Sequence, residues 1–192
     1  MNIEVEIKIK LKSHKKIREK LKKIGKLKKT IRQIDEYYIP CQRDFFAKKP
    51  KPIEWLRIRT NYNKKGIKTI FEYDKHFDKK DGSQGYAKEY ETEVSDVKSL
   101  RKILTFLDFK KIIIIDKKRE YWYAGKFEIA LDTVKNLGKF IEIEAYKDFK
   151  NTEEARVGCN EFAQKLGLSE DYIKNNHTAT GYPVILMEKI KK

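Results

Sequence analysis

The sequence predicts an α+β fold, a mainly antiparallel sheet or barrel of about eight strands with helices flanking it. Three observations carry that expectation. Segment after segment alternates apolar with polar residues at the period of a strand. Turn signals join several of these segments into hairpins. The helical stretches sit between hairpin groups rather than after every strand, which disfavours a doubly wound parallel sheet.

Residues 2–10 open the chain as a strand, because Ile3, Val5 and Ile7 alternate with Glu4, Glu6 and Lys8. A helix is expected over about residues 13–24 with Ser13 as its cap, Ile17, Leu21 and Ile24 as its apolar stripe and Gly25 as its stop. Residues 30–39 and 53–60 read as strands on either side of a Pro- and Lys-rich loop at 48–52. The turn Asn63-Lys64-Lys65-Gly66 returns the chain as a hairpin partner over residues 67–76. After a polar loop at 79–85 comes a strand over 86–94, then a helix capped by Ser95 with Val97, Leu100, Ile103, Leu104 and Leu107 inward.

Three closely spaced strands follow, over residues 110–123, 126–133 and 139–147. A helix over 152–166 buries Ala155, Cys159, Phe162, Ala163 and Leu166 and ends at Gly167. Ser169–Asn175 reads as a short helix, and Tyr182–Ile190 as a terminal strand or extended segment.

At 192 residues the chain is long enough for one domain with a real core, and residues 1–192 are expected to form a single one. Apolar residues at 40% rule out a disordered chain. Lys and Arg total 45 against 29 Asp and Glu, so a net charge of +16 attracts anions without choosing among them. The longest apolar run, Ile112 to Ile115, is far too short to span a membrane. Cys41 and Cys159 make no metal spacing, and no signal peptide is read at the start, so a reduced, cytoplasmic setting is expected.

Polar pairs at i, i+2 share one strand face, and here they segregate by sign. Glu4 and Glu6 are acidic, Arg57 and Arg59 basic, Glu91 and Glu93 acidic, Lys117 and Arg119 basic, and Glu142 and Glu144 acidic again, while Glu128 and Asp132 share parity. Surface strands built for cross-strand ion pairs usually mix signs. Basic pairs facing acidic pairs in a closed barrel would give a polar lumen suited to a polyanion and a divalent cation.

Glu4-Val5-Glu6-Ile7-Lys8 resembles the ExExK signature of the CYTH superfamily, the triphosphate tunnel metalloenzymes. The order of further motifs extends the resemblance over nearly the whole chain: Gln33-x-Asp35-x-Tyr37, Leu56-Arg57-Ile58-Arg59, Glu91-x-Glu93, Lys117-x-Arg119, and the run from Leu131-Asp132 through Leu137-Gly138 to Glu142-x-Glu144. One element departs. The family's lysine after the paired arginines falls where this chain reads Ile70-Phe71-Glu72-Tyr73-Asp74-Lys75, with Lys75 one residue out of phase unless a bulge intervenes, and Lys68 as the fallback.

The resemblance implies an eight-stranded antiparallel β-barrel, a tunnel with helices packed outside. Lys8, Arg57, Arg59, Lys75, Lys117 and Arg119 would hold the triphosphate, arginine forks suiting phosphate oxygens. Glu4, Glu6, Glu93, Asp132, Glu142 and Glu144 would hold Mg²⁺ or Mn²⁺, since hard cations prefer oxygen ligands. Glu4, Glu6, Lys8 and Asp132 would form the catalytic set. His14, His76 and His177 match no motif.

The implied activity is a metal-dependent enzyme on inorganic triphosphate, ATP or thiamine triphosphate, with hydrolysis of a phosphoanhydride bond favoured over class IV adenylate cyclisation. No adenine pocket is marked in the sequence. A noncatalytic polyphosphate-binding module is disfavoured by the complete acidic set. A nucleic-acid module is disfavoured because no RNA- or DNA-binding pattern accompanies the run Lys20–Lys29. No membrane partner is expected, and the cyclase-like branch suggests a homodimer.

Overall fold

A computed structural model describes residues 5–45, 52–77, 86–178 and 180–191. Eight strands form one sheet in the order β1-β8-β7-β6-β2-β3-β4-β5. They are β1 (Val5–Leu11), β2 (Lys26–Pro40), β3 (Glu54–Asn63), β4 (Gly66–Phe77), β5 (Tyr86–Glu93), β6 (Phe109–Ala124), β7 (Phe127–Val134) and β8 (Gly138–Ala145). The helices are α1 (Lys15–Ile24), α2 (Val97–Phe106), α3 (Thr152–Lys165), α4 (Glu170–Asn176) and α5 (Tyr182–Ile190). The ladders β1–β8, β8–β7 and β7–β6, like β2–β3, β3–β4 and β4–β5, are antiparallel. The eight-stranded antiparallel architecture with flanking helices is thus the expected one, with the order running openly from β1 to β5 among the described residues.

The chain divides into two compact units, residues 1–31 with 117–181 and residues 32–116 with 182–192. In the first, alternation on β1 sends Ile7, Ile9 and Leu11 into a core shared with Ile17 and Leu21 of α1. Ile129 and Leu131 of β7, Ile141 and Ile143 of β8, and Cys159, Phe162, Ala163 and Leu166 of α3 complete it. The polar residues of the same strands therefore stand on the opposite face. The edge of β1 away from β8 is covered by the chain after α4: Thr178 N donates to Lys8 O at 2.9 Å, and Ile9 and His177 form an isolated bridge. Tyr172 Oη adds a bond to Lys10 O at 3.1 Å.

Gly25 ends α1 where no side chain fits, because a Cβ there would meet Tyr123 O at 2.7 Å. Gly25→Ala should therefore lower stability by about 1–3 kcal/mol through overpacking. Urea denaturation reads this directly, and an unchanged midpoint would mean the backbone of β6 yields freely.

In the second unit, Tyr38, Phe45, Leu56, Ile58 and Leu104 form the core, with Val97 and Leu100 of α2 packed against it. The β3–β4 hairpin turns through two residues, Lys64 and Lys65, with Asn63 opposite Gly66 and Asn63 Oδ1 accepting from Lys65 N at 2.7 Å. Gly66 takes a φ of 131°, which a side chain would resist.

Four expectations need correction. Tyr182–Ile190 is helix α5, not a strand. A short apolar run does not reveal its period, and Pro183 sits in the first turn, where its missing N–H is harmless. Ile103 and Leu107 are exposed rather than inward, because only the narrower stripe of Val97, Leu100 and Leu104 meets the sheet. Asp96, not Ser95, caps α2, its carboxylate accepting from Lys98 N and Ser99 N at 3.0 Å each. His14 occupies the cap position of α1, while Ser13 Oγ accepts from Lys15 N at 3.2 Å.

Candidate active site

In the first unit the ladders place the polar face in three rows. Lys8 stands opposite Glu142, with Ala130 and Tyr121 beyond it on β7 and β6. Phe140, Asp132 and Arg119 make the next row and Glu6, Glu144 and Glu128 the other. Asp132 is fully buried and forks with Arg119, Nε to Oδ1 at 2.7 Å and a terminal nitrogen to Oδ2 at 2.5 Å. Arg119 also reaches Glu142, and Lys117 Nζ lies 3.5 Å from Asp132 Oδ2. Lys8 Nζ is 3.2 Å from Glu142 and 3.6 Å from Glu6.

These charges hold one another ionised. Burial alone would lower the Lys8 ammonium, but Glu142 and Glu6 outweigh it and keep it above its ordinary value. Burial works to raise the Asp132 carboxyl, and Arg119 and Lys117 overcome that and hold it low. Arg119 is raised in the same way, Asp132 and Glu142 outweighing its burial.

The row of Glu6, Glu144 and Glu128 differs in kind. Three carboxylates directly opposite one another on successive strands repel. Among the described residues no three His, Cys, Asp or Glu side chains are close enough to hold an ion as they stand. The row is all oxygen and of one sign, the kind of donor a hard divalent cation takes. Glu128, which the sequence placed on this face without assigning it a ligand role, stands in the same row. Glu4 lies outside the described residues.

In the second unit Tyr37, Arg57, Glu72 and Glu91 form one row across β2 to β5. Asp35, Arg59, Ile70 and Glu93 form the next. Arg59 forks onto Asp35 at 2.8 and 2.9 Å. Arg57 pairs with Glu72 and donates to Tyr37 Oη at 3.0 Å, while Arg59 stands 3.5 Å from Glu72. Glu72 and Asp74 are both buried. Burial raises the Tyr37 phenol, which stays neutral and accepts from Arg57. Each arginine is thus aimed by carboxylates that sequence reading did not assign to the site.

The β3–β4 ladder runs without a bulge from Glu54 opposite Lys75 to Asn63 opposite Gly66. Lys75 therefore points to the face opposite Arg57, where it pairs with Glu54 at 3.7 Å. The bulge that would bring Lys75 into phase with the paired arginines is absent from this ladder. Lys68 does share the face of the arginines and pairs with Glu93 at 2.9 Å. Glu93 is exposed and belongs to the second unit, whereas Glu6, Asp132, Glu142 and Glu144 belong to the first. His14 Nε2 donates to Phe140 O at 3.0 Å, a buried structural group.

The CYTH domain family model matches residues 2–174. The chain belongs to the CYTH domain family. This CYTH domain is 32% identical over 173 residues to a "putative adenylate cyclase" of Methanocaldococcus jannaschii, covering 89% of this chain and 93% of that one. Among solved structures it resembles a protein of Pyrococcus horikoshii with a TM-score of 0.79 and 29% identity, over 97% of this chain and 99% of that one. A "putative adenylyl cyclase" of Hippeastrum, described as having a dominant triphosphatase activity, matches with a TM-score of 0.59 at 16% identity, over 87% and 88% of the two chains. That likeness speaks for the shared fold. No helix among the described residues of the CYTH domain is long and apolar enough to cross a membrane.

Proposed function

We propose that this CYTH domain is a divalent-metal-dependent enzyme acting on a triphosphate substrate, hydrolysing a phosphoanhydride bond. The observation that carries the reading is the first unit's polar face, where a buried fork of Asp132 and Arg119 and the paired Lys8 adjoin a row of opposed carboxylates. Glu6, Glu144 and Glu128 would hold Mg²⁺ or Mn²⁺, with Glu142 and Asp132 orienting Lys8, Lys117 and Arg119. When bound, the cation supplies charge neutralisation on the phosphate chain.

The chain's own residues bind and orient. Lys8 and Arg119 offer positive charge that their carboxylate partners keep in place, with Lys117 beside them. Arg57 and Arg59 offer forks already fixed by Glu72 and Asp35, so little side-chain freedom is lost when a phosphate oxygen arrives. The incoming anion must compete with those carboxylates, which favours a highly charged triphosphate over a monophosphate.

A second reading is adenylate cyclisation, favoured by the relative in Methanocaldococcus jannaschii whose name states it. Purified protein offered inorganic triphosphate, ATP and thiamine triphosphate, with Mg²⁺, with Mn²⁺ and with chelator, separates the readings. Orthophosphate appearing only with metal is the expected product. Cyclic AMP with pyrophosphate would establish the cyclase instead, and turnover unaffected by chelator would overturn both.

A further inference from the structure

Gln33 opens the motif Gln33-x-Asp35-x-Tyr37, and neither reading above uses it. Its residue is 3% exposed. Its Nε2 donates to Asn61 Oδ1 at 2.8 Å across the β2–β3 ladder, where the two residues stand opposite each other. Its Oε1 is buried and accepts from no group. A buried amide oxygen without a donor is costly, so Gln33 Oε1 is open to a donor that arrives with a ligand.

The position restricts that partner. Gln33 shares a strand face with Asp35, which fixes the Arg59 fork, and stands two residues from it, about 6.5–7 Å along the strand. A carbonyl oxygen accepts only from a donor. Inorganic triphosphate presents almost nothing but acceptors. A nucleoside triphosphate presents ribose hydroxyls close to the phosphate chain, within the reach that separates Gln33 from the Arg59 fork.

We infer that Gln33, held by Asn61, is a specificity-determining residue that accepts a hydrogen bond from a sugar hydroxyl, so that the site takes a nucleoside triphosphate in preference to inorganic triphosphate. The inference rests on the triphosphate reading above. It makes the carbonyl of Gln33 a reader of what the phosphates are attached to, while the arginines read the phosphates themselves.

Equilibrium binding with Mg²⁺ present tests it, using ATP, 2′-deoxy-ATP, 3′-deoxy-ATP and inorganic triphosphate on the wild-type chain and on Gln33→Leu. The wild-type chain should bind ATP about tenfold more tightly than one of the two deoxy analogues. In Gln33→Leu that difference should vanish, with inorganic triphosphate binding unchanged. Equal weakening of ATP and inorganic triphosphate in the variant would overturn the inference, since a merely structural glutamine predicts that. Should the variant not fold, the wild-type series decides alone: indifference to both hydroxyls overturns the inference and leaves the triphosphate reading standing. Binding of no triphosphate at all overturns both.

Discussion

Asp132→Ala should cost the folded protein about 3–5 kcal/mol, the largest stability loss expected of any single substitution at the site. Asp132 is fully buried, and its removal strands Arg119 and Lys117, one forked onto it at 2.7 and 2.5 Å and the other 3.5 Å away. Arg119 would keep Glu142, but without the carboxylate that both cations face, Arg119 and Lys117 would repel. Urea denaturation of the variant against the wild type measures the loss, and a change under about 1 kcal/mol would show that the fork contributes little. The pH dependence has a definite sign. The carboxyl is held below its ordinary value, so its stabilisation is complete above about pH 4 and disappears as acid drives it through its depressed folded-state value. Asp132→Asn, which keeps the shape, should flatten that acid limb.

Glu144→Ala should behave in the opposite way. Metal-dependent turnover should fall by about a hundredfold or more while the denaturation midpoint stays or rises. Glu144 stands directly opposite both Glu6 and Glu128, and deleting the middle carboxylate relieves repulsion rather than creating it. Steady-state rates across a Mn²⁺ titration, paired with the denaturation curve, distinguish a lost ligand from a lost fold. Full activity at all metal concentrations would remove Glu144 from the proposed cation site. The two variants divide one strand face into a part where opposite charges interlock and a part where carboxylates face one another.

Much of this arrangement is legible from period-two alternation. It places Glu6, Lys8, Asp132, Glu142 and Glu144 on polar faces, because the core residues between them leave no alternative. Register was also legible where a turn anchors it. Counting back from Asn63 opposite Gly66 brings Arg57 opposite Glu72, so the carboxylate that aims Arg57 was available from the hairpin. The family's lysine position draws attention to Lys75 on this strand, whereas the arginine-facing positions are held by Glu72 and Asp74. What alternation does not carry is depth. Ile103 and Leu107 look like core and lie exposed, because a helix buries only the stripe its neighbour can reach. The short apolar stretch of α5 has no period to read, and its helical form comes from the packing of Tyr182, Val184 and Leu186.

The cover over β1 bears on where this domain ends. The family model's match stops at residue 174, yet the backbone that pairs with Lys8 and Ile9 belongs to Thr178 and His177. A chain trimmed to the similarity boundary would keep every motif and lose the strap beside the strand that carries Glu6 and Lys8. Unsatisfied N–H and C=O groups along that edge invite pairing between chains. For this protein the recognisable signature is shorter than the unit that covers that edge.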